Sequence, residues 1–486
     1  MMILSEVIKN IDVTEFIGND KIEISNIQFD SRQVAENSLF VAVRGYNVDG
    51  HSFIEKAIDL GASAILCEEL PANINNKITY IKVNDSSDSL GKLAANFYNN
   101  PTKNLRIVGV TGTNGKTTIA TLLYKTFKKL GYKVGLISTI ENYIDNEIIP
   151  STHTTPDQIK LQELFAKMVD TGCEFCFMEV SSHSIHQHRI SGINFEGGVF
   201  TNITHDHLDY HKTFKEYINV KKTFFDGLDK SAFAITNLDD KNGSVMLQNT
   251  KARKLTYALN SPADYKTKIL EHHFSGMLLS VNSTELWTKF IGKFNAYNLS
   301  SVYAVACEMG QDKTDVLRIL SELKAVNGRF EHFISEENIT AIVDYAHTPD
   351  ALQNVLSTIN EIRTGNENLI TVVGAGGNRD KTKRPEMANI AAKLSNRLIL
   401  TSDNPRYEDP EEIIKEMEAG VEAQDRKNTI SITNRKDAIK AACMFAQSGD
   451  IILIAGKGHE TYQEIEGVKH HFDDKEIIRE ILDIKY

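Results

Sequence analysis

The chain has 486 residues, of which 41% are hydrophobic and 24% are charged. These values are typical of a folded globular protein, and at roughly 100 to 200 residues per domain the length predicts three domains. The formal net charge of -11 argues against a nucleic-acid partner, because a broad nucleic-acid surface needs clustered Lys and Arg.

No secretory or membrane segment is predicted. The stretch MMILSEVIKNIDVTEFIGND carries acidic residues throughout and lacks the apolar core of a secretory signal. No apolar run reaches the roughly 18 residues that cross a bilayer. Five cysteines lie mostly in apolar segments, and Cys173 and Cys176, despite their CxxC spacing, are interpreted as reduced core thiols. We therefore expect a cytoplasmic protein without membrane insertion.

Residues 1–103 are predicted to form a first domain of short strands and helices. This segment ends at the polar stretch NNPTKN, where Pro101 favours a linker.

The second predicted domain, residues 104–330, begins with an apolar strand, a glycine-rich loop and a helix. Further strands alternate with helical stretches and are predicted at 133–139, 175–180, 197–203 and 232–237. The pattern loosens around 250–290, and a long helical region follows near 296–325. This alternation is typical of a parallel sheet with helices on both faces.

Residues 331–486 are predicted to form a third, Rossmann-like domain in which strands again alternate with helices, three of which are predicted to begin at Pro349, Pro385 and Pro410. Polar or glycine-rich loops follow the strands at 344–350, 374–384, 402–408 and 456–460. We expect these loops to converge on one cleft, because ligands of open α/β sheets bind at the carboxyl ends of the strands. The predicted fold class is α/β, with three domains and a central P-loop NTPase-like sheet.

The loop VTGTNGKTT (110–118) departs from the general phosphate-loop pattern G-x-x-x-x-G-K-[ST], which would place a glycine where this chain has Val110. Its context is nevertheless that of a phosphate loop, because a strand precedes it and a helix begins in it. Lys116 would reach the β- and γ-phosphates of a nucleotide, and the Thr117 hydroxyl would bind Mg²⁺. The alternative is a glycine-rich turn.

Glu179 is a carboxylate at the end of an apolar strand. Burying an isolated charge is costly, so a Mg²⁺ shared with ATP would balance it. The alternative is an ion pair with Arg189 or a lysine.

Three loops of the third domain carry charges that suit a zwitterion. GAGGNRD (374–380) contains Arg379, DNPR (403–406) contains Arg406, and GKGHE (456–460) contains Glu460. Arginines recognise a carboxylate, and a glutamate recognises an ammonium. Each loop alone is more often a solvated turn, whereas together on one sheet edge they predict an amino-acid site.

Eight motifs occur in order along the chain: GTNGKTT (112–118), HTTP (153–156), EVSSH (179–183), DHLDYH (206–211), NLDD (237–240), GKFNAYN (292–298), NGRFE (327–331) and DYAHTPD (344–350). This series resembles the Mur ligase family, the ATP-dependent amide-forming enzymes that build the peptidoglycan precursor peptide. The resemblance extends over nearly the whole chain.

Further motifs resemble the family members that add the third residue of that peptide: DSR (30–32), LFVAVRGYNVDGH (39–51), HTTPD (153–157) and SSHSIHQHR (181–189). The resemblance implies UDP-N-acetylmuramoyl-L-alanyl-D-glutamate (UDP-MurNAc-L-Ala-D-Glu) as acceptor substrate. The DNPR form implies meso-diaminopimelate as the incoming amino acid. L-lysine lacks the distal carboxylate that Arg406 would bind.

The resemblance also implies the residues of each site. For ATP these are Gly112, Thr113, Asn114, Gly115, Lys116, Thr117, Thr118, Asn295, Asn298, Arg329, Asp344 and His347. For UDP-MurNAc-L-Ala-D-Glu they are Ser31, Thr154, Thr155, Ser181, Gln187 and Arg189. For the amino acid they are Arg379, Asp403, Asn404, Pro405, Arg406, Gly456 and Glu460.

The implied catalytic residues are Lys116, Glu179, His207 and Lys221. Two Mg²⁺ ions are expected, one held by Thr117 and Glu179. The other would be held by Glu179, His207 and Lys221, with the lysine converted by CO₂ into a carbamate. The third domain is expected to close on the second, and the protein is expected to be a monomer.

Three alternatives remain open at this point. The chain could be the L-lysine-adding version of the enzyme. It could instead be another amide ligase, of the folylpolyglutamate or cyanophycin synthetase type. A different class would be a P-loop switch or scaffold that binds nucleotide without ligating anything.

Overall fold

The computed structural model describes residues 1–45, 48–151, 153–204, 206 and 208–484, without the side chains of residues 208 and 209. The described chain contains three main sheets, of five, eleven and six strands. The α/β class with three domains is confirmed. Within the described part of the chain, no helix is long and apolar enough to cross a membrane.

The first sheet has the strand order β2-β7-β6-β5-β4, parallel except at β2. Apolar residues of its strands pack against α1 and α3. The elements of this part of the chain are β1 (Met2–Ile3), α1 (Leu4–Val7), β2 (Val13–Ile17), β3 (Glu23–Ile24), β4 (Asn26–Gln28), a 3₁₀ helix (Ser31–Gln33), β5 (Ser38–Val41), a 3₁₀ helix (Gly50–Phe53), α2 (Ile54–Asp59), β6 (Ala62–Cys67), β7 (Thr79–Val83), α3 (Ser86–Phe97) and a 3₁₀ helix (Pro101–Asn104).

The second sheet has the order β11-β10-β9-β12-β8-β13-β14-β15-β16-β17-β18. Its elements are β8 (Arg106–Thr111), α4 (Lys116–Lys129), β9 (Val134–Ile137), β10 (Glu141–Ile144), β11 (Glu147–Pro150), α5 (Gln158–Thr171), β12 (Phe175–Glu179), α6 (Ser182–His186), β13 (Phe195–Phe200), α7 (Leu208–His211), α8 (Phe214–Asp226), β14 (Phe233–Asn237), α9 (Gly243–Met246), β15 (Arg253–Ala258), β16 (Tyr265–His273), β17 (Gly276–Val281), β18 (Thr284–Thr288), α10 (Lys293–Glu308) and α11 (Lys313–Glu322).

Strands β8, β9, β12, β13 and β14 are parallel, as predicted, and β15 pairs with β14 in the same direction. One apolar core packs under α4, α10 and α11, and another packs under α5 and α8 on the opposite face. Cys173 and Cys176 are buried free thiols in the second core, as predicted. Strands covered on both faces are apolar along their whole length, which is why the sequence signal of this sheet is strong.

Two features of the second sheet differ from the sequence-based expectation. The loosened region around 250–290 contains four strands, and β16, β17 and β18 form an antiparallel meander at one edge. The long helical region is two helices, separated at Gly310, whose φ of +82° ends a right-handed helix. Asp312 then caps α11 through its side chain.

The third sheet has the order β19-β20-β24-β21-β22-β23, parallel except at β19. Its elements and those that follow are β19 (Glu331–Ile334), β20 (Thr340–Asp344), α12 (Pro349–Ile362), β21 (Leu369–Val373), α13 (Lys383–Leu394), β22 (Arg397–Leu400), α14 (Pro410–Glu418), a 3₁₀ helix (Arg426–Asn428), β23 (Thr429–Ser431), α15 (Arg435–Phe445), β24 (Ile451–Ala455), β25 (Tyr462–Ile465), β26 (Val468–His471) and α16 (Asp474–Ile481).

Prolines mark the starts of helices in the third sheet region. Pro349 and Pro410 are the first residues of α12 and α14, each preceded by a side-chain cap. A proline is tolerated there because the first N–H groups of a helix have no intrahelical acceptor. Helix α13 begins at Lys383, two residues before the predicted start at Pro385, which still lies in its first turn.

Candidate active site

The glycine loop lies at the centre of the second sheet. It follows β8, whose neighbours are β12 and β13. In this register Val110 pairs with Glu179, and Thr111 pairs with Phe200. The carboxyl ends of three parallel strands therefore bring the loop, Glu179 and the segment after β13 together.

Two glycines of the loop have no room for a side chain. A Cβ on Gly112, whose φ is +150°, would lie 1.9 Å from Thr201 Oγ1. A Cβ on Gly115, whose φ is +88°, would lie 2.8 Å from Asn298 Oδ1. The loop is also held from the β13 side, because Asn114 N–H donates to Asn202 Oδ1 at 2.9 Å. The packing therefore requires glycine at 115, where the general pattern also has one, and at 112 rather than at 110.

Lys116 is the first residue of α4 and folds back over the loop. Its ammonium donates to the carbonyl oxygens of Gly112 at 3.0 Å and Thr113 at 2.8 Å. Burial lowers the pKa of Lys116, an effect that the nearby Glu179 partly opposes. A phosphate at the loop would offer this ammonium a stronger, charged acceptor than two carbonyls.

Glu179 is completely buried at the end of β12. Its Oε1 accepts a hydrogen bond from Thr139 N–H at 2.7 Å, but its Oε2 has no partner among the described residues. Arg189, considered above as an ion-pair partner, donates to Gln187 Oε1 and to Thr155 O instead. A buried carboxylate oxygen without a donor is costly, and a cation beside it would remove that cost.

The residues expected to contact the peptide substrate lie next to Glu179. The Thr155 hydroxyl donates to Glu179 O at 2.8 Å, and Thr154 accepts from Thr139. Ser181 caps α6, and its N–H donates to Thr155 Oγ1 at 3.2 Å.

The remaining member of this group is Gln187, which joins the network through Arg189 and also donates to Tyr210 Oη at 3.0 Å. Ser31 lies apart in the first domain, buried in the 3₁₀ helix that Asp30 caps.

Lys221 lies in α8 with its side chain 1% exposed. Its Nζ donates to Gly112 O at 2.9 Å and lies 4.8 Å from the centre of the Tyr217 ring. Burial, with repulsion by Lys116, holds the pKa of Lys221 well below its usual range, which favours the neutral amine. The neighbouring Lys222 points elsewhere and pairs with Asp226. His207 lies outside the described residues.

Among the residues that the structure describes, no three His, Cys, Asp or Glu side chains lie close enough together to hold a metal ion. The unpartnered oxygen of Glu179 and the buried hydroxyl of Thr117 nevertheless fit an oxygen-binding cation such as Mg²⁺.

Residues around the predicted boundary between the second and third domains lie near the glycine loop. Arg329 lies with its guanidinium over the Tyr345 ring at 4.5 Å, and its Nη2 is 3.4 Å from Thr117 Oγ1. Asp344, at the end of β20, accepts N–H groups from Phe330 at 2.6 Å and Ala346 at 2.8 Å. Burial raises the pKa of Asp344 to about 6.

Three other predicted ATP residues lie near the same place. The His347 Nδ1 is 2.9 Å from Tyr345 O. Asn295 and Asn298 lie in the first turns of α10, where Asn298 donates to Asn295 Oδ1 at 3.1 Å. Asn298 is in turn the neighbour that limits Gly115.

Sequence reasoning missed two contacts that join the second and third domains. Asp350 accepts a hydrogen bond from Asn114 Nδ2 at 2.8 Å and another from Thr204 at 3.2 Å. Lys383 forms a nearly buried ion pair with Asp206 at 2.6 Å. Asp350 is the last residue of the DYAHTPD motif, so the sequence marked it as a candidate. The motif did not predict its contacts with the second domain.

Four of the seven residues expected to bind the amino acid form a connected cluster at the ends of β22 and β24: Asp403, Asn404, Gly456 and Glu460. Asn404 Nδ2 donates to Glu460 Oε2 at 2.8 Å, and Asp403 is buried beside them. Gly456 has a φ of +116°, and a Cβ there would lie 2.9 Å from Asp403 Oδ2. Lys457, missed by sequence reasoning although it lies within GKGHE, is fully buried among these groups.

Arg406 follows Pro405 with a φ of +53°. Its Nη1 donates to Gly377 O at 2.8 Å, and its Nε lies 3.4 Å from Glu464 Oε2. Arg379 is exposed, and it forms no hydrogen bond or ion pair with the cluster among the described residues. The loops carrying Arg379 and Arg406 are held together by Arg384, a buried residue that binds Glu408 and Gly376 O.

Comparison with known proteins gives a consistent result over the whole chain. Three family models match, with the descriptions "Mur ligase family, catalytic domain" over residues 23–98, "Mur ligase middle domain" over 110–306, and "Mur ligase, glutamate ligase domain" over 328–458.

Two similar proteins and one similar solved structure carry the same name. A Phocaeicola vulgatus protein is 58% identical over 480 residues, covering 99% of both chains, and a Bacteroides fragilis protein is 58% identical over 483 residues, covering 99% of this chain and 100% of its own. Both are named UDP-N-acetylmuramoyl-L-alanyl-D-glutamate--2,6-diaminopimelate ligase. A solved structure of a ligase with that name is 32% identical, covers 99% of each chain and has a TM-score of 0.71.

Proposed function

We propose an activity from one premise: the chain belongs to the Mur ligase family. It is an ATP-dependent ligase that joins meso-2,6-diaminopimelate to UDP-MurNAc-L-Ala-D-Glu, forming ADP and phosphate. The protein acts in peptidoglycan precursor synthesis. It does so in the cytoplasm and as a monomer. The names of its 58% identical relatives support this choice of substrates.

The observation that carries the proposal is the charged cluster of the third domain. Arg406 offers a guanidinium, and Asn404 with Glu460 offers an amide and a carboxylate, all at the carboxyl end of one sheet. Diaminopimelate has a carboxylate and an ammonium at its distal end, so both groups find partners. L-lysine would leave the guanidinium of Arg406 without a partner, and an unmatched charged group disfavours binding.

The first step is attack of the D-glutamyl carboxylate on the γ-phosphate of ATP, which forms an acyl phosphate. Catalysis of phosphoryl transfer is mainly positioning and charge stabilisation. The glycine loop and the start of α4 hold the phosphates, and Lys116 exchanges its carbonyl partners for phosphate oxygens. Asn295, Asn298, Arg329, Asp344 and His347 bind ATP from the sides of the cleft.

Thr117 and Glu179 would hold one Mg²⁺, and Glu179, His207 and Lys221 would hold a second. When bound, these ions supply positive charge that neutralises the phosphates during transfer. Lys221 must be a carbamate for this role, because an ammonium repels a cation. The lowered pKa of Lys221 supports the idea, since it increases the fraction of uncharged amine and only an uncharged amine reacts with CO₂.

In the second step the amine of diaminopimelate attacks the acyl carbon and phosphate leaves. The third domain brings this amine to the acyl phosphate and excludes water by closing on the second. The contacts of Asp350 with Asn114 and of Lys383 with Asp206 hold the two domains in this arrangement.

The other assignments follow the same scheme. Residues 1–103 form a UDP-binding domain that includes Ser31, residues 104–330 form the ATP-binding domain, and residues 331–486 form the amino-acid-binding domain. The peptide part of the acceptor lies near Glu179, and its proposed contacts are Thr154, Thr155, Ser181, Gln187 and Arg189.

The test is phosphate release from ATP and Mg²⁺ in the presence of UDP-MurNAc-L-Ala-D-Glu. We expect release with meso-diaminopimelate, little with L-lysine and almost none without an amino acid. Equal release in all three reactions would indicate an ATPase rather than a ligase. Faster release with L-lysine would refute the assignment of the amino acid.

A further inference from the structure

Lys457 is a fully buried lysine at the centre of the amino-acid cluster, with its side chain 0% exposed. Its Nζ lies 3.1 Å from Asn404 Oδ1, 3.2 Å from Glu460 Oε2 and 3.5 Å from Asp403 Oδ1. Burying a lysine is costly unless its charge is paired and hydrogen-bonded. Asn404 and Glu460 accept hydrogen bonds from the ammonium, and Asp403 adds an ion pair without a hydrogen bond.

The contacts of Lys457 determine which way the amide of Asn404 faces. Asn404 Oδ1 accepts from Lys457 and also from Glu464 N–H at 2.9 Å. Its Nδ2 is thereby directed to Glu460 Oε2, to which it donates at 2.8 Å. Glu460 Oε2 is then occupied twice, by Asn404 and by Lys457, so the orientation of this carboxylate is fixed.

The charge of the cluster leaves a place for one more cation. Asp403 and Glu460 bring two negative charges and Lys457 brings one positive charge. The nearby Arg435 does not change this count, because it is paired with Asp474 in a buried salt bridge of 2.7 Å. Asp403 Oδ1 also has no hydrogen-bond donor among the described residues, although Asp403 is buried. The arrangement suits the ammonium of a ligand.

We propose that Lys457 is a positioning residue for the incoming amino acid, which holds Asn404 and Glu460 in the orientation that binds its distal ammonium. This inference rests on the proposed function. Lys457 does not itself contact the ligand, because its side chain is completely enclosed. It acts by orienting the two groups that do, as a supporting residue does in a preorganised site.

The test is steady-state kinetics of Lys457→Met and Lys457→Gln beside the unaltered protein. Both replacements are unbranched and uncharged. Methionine removes the hydrogen-bond donor to Asn404 and Glu460, and glutamine replaces the charged donor by a neutral amide. Loss of charge-assisted hydrogen bonds predicts that KM for diaminopimelate rises about 10- to 100-fold. We expect kcat and the KM values for ATP and UDP-MurNAc-L-Ala-D-Glu to stay within about threefold, since only amino-acid binding loses its support.

The matched control is Lys469→Met. Lys469 is exposed, and its ammonium lies 4.1 Å from the centre of the Tyr462 ring, the same ring that Lys457 approaches at 5.6 Å. This variant should keep the KM for diaminopimelate of the unaltered protein.

Two results would overturn the inference about Lys457. One is an unchanged KM for diaminopimelate in both variants. The other is a loss that affects kcat and all three KM values together, or loss of the folding transition in both variants, because either would assign Lys457 a purely structural role. Failure of the unaltered protein to use diaminopimelate would instead refute the proposed function, so the two failures are distinguishable.

Discussion

Replacing Arg406 by leucine should reduce the preference for diaminopimelate over L-lysine. In the structure one guanidinium nitrogen donates to Gly377 O, and Nε lies 3.4 Å from Glu464 Oε2. Nη2 forms no hydrogen bond with a described residue, and the side chain is 21% exposed. The guanidinium is therefore anchored on one side and available to a ligand carboxylate on the other.

The size of the effect follows from the contact that is lost. A hydrogen bond between charged groups contributes about 1.5–3 kcal/mol, which corresponds to about a 10- to 150-fold change in kcat/KM. This loss applies to diaminopimelate, whose distal carboxylate Arg406 binds. L-lysine has no such carboxylate, so its kcat/KM should change less than about threefold. The partly exposed ion pair with Glu464 contributes at most about 1 kcal/mol to stability, so the variant should fold.

The assay is steady-state phosphate release, with kcat/KM determined for each amino acid. Arg426→Leu is the control, because Arg426 is an exposed arginine of the same domain in a 3₁₀ helix. It should leave both values unchanged. If Arg406→Leu lowered both kcat/KM values by the same factor, Arg406 would not be the group that binds the distal carboxylate.

Three further perturbations test the ATP side of the site. Gly112→Ala places a Cβ 1.9 Å from Thr201 Oγ1, so it should weaken ATP binding at least tenfold in calorimetric titration. The control Gly227→Ala, at a φ of -83°, should not weaken ATP binding. Equal ATP affinities of the two variants would exclude a steric role for Gly112. Asp350→Ala removes the acceptor of Asn114 and should raise KM for ATP about three- to tenfold, with faster hydrogen exchange in the glycine loop; unchanged exchange would contradict this link between domains. Lys221→Ala should abolish ligation and regain part of it with added acetate as a substitute carboxylate; normal activity without added anions would exclude the carbamate.

The parts of the fold that the sequence predicted correctly are those with a strong local signal. The strand before the glycine loop is apolar along its length because helices cover both of its faces, and Pro349 and Pro410 mark helix starts because a helix tolerates proline there. The strands β16, β17 and β18 were missed because they form an edge meander in which buried and exposed residues alternate irregularly. Local patterns describe such edge strands poorly.

The site was predicted where a motif carries the chemistry, and not where partners meet only after folding. The motifs GTNGKTT and DNPR themselves contain the residues that are expected at the ATP site and at the amino-acid site. The pairing of Lys383 with Asp206, however, joins positions 177 residues apart. The buried Lys457 forms an ion pair with Asp403, which lies in a different loop. From the sequence alone, each is one charged residue in a polar loop.

The most direct test of the central claim uses UDP-MurNAc-L-Ala-D-Glu labelled with ¹⁸O in the D-glutamyl side-chain carboxylate. With ATP, Mg²⁺ and meso-diaminopimelate, an acyl phosphate transfers one carboxylate oxygen to phosphate when the amine attacks. We therefore predict one ¹⁸O atom in each phosphate released and a product whose mass has increased by one diaminopimelyl residue. Unlabelled phosphate, with no such product, would show that the protein hydrolyses ATP without ligating an amino acid.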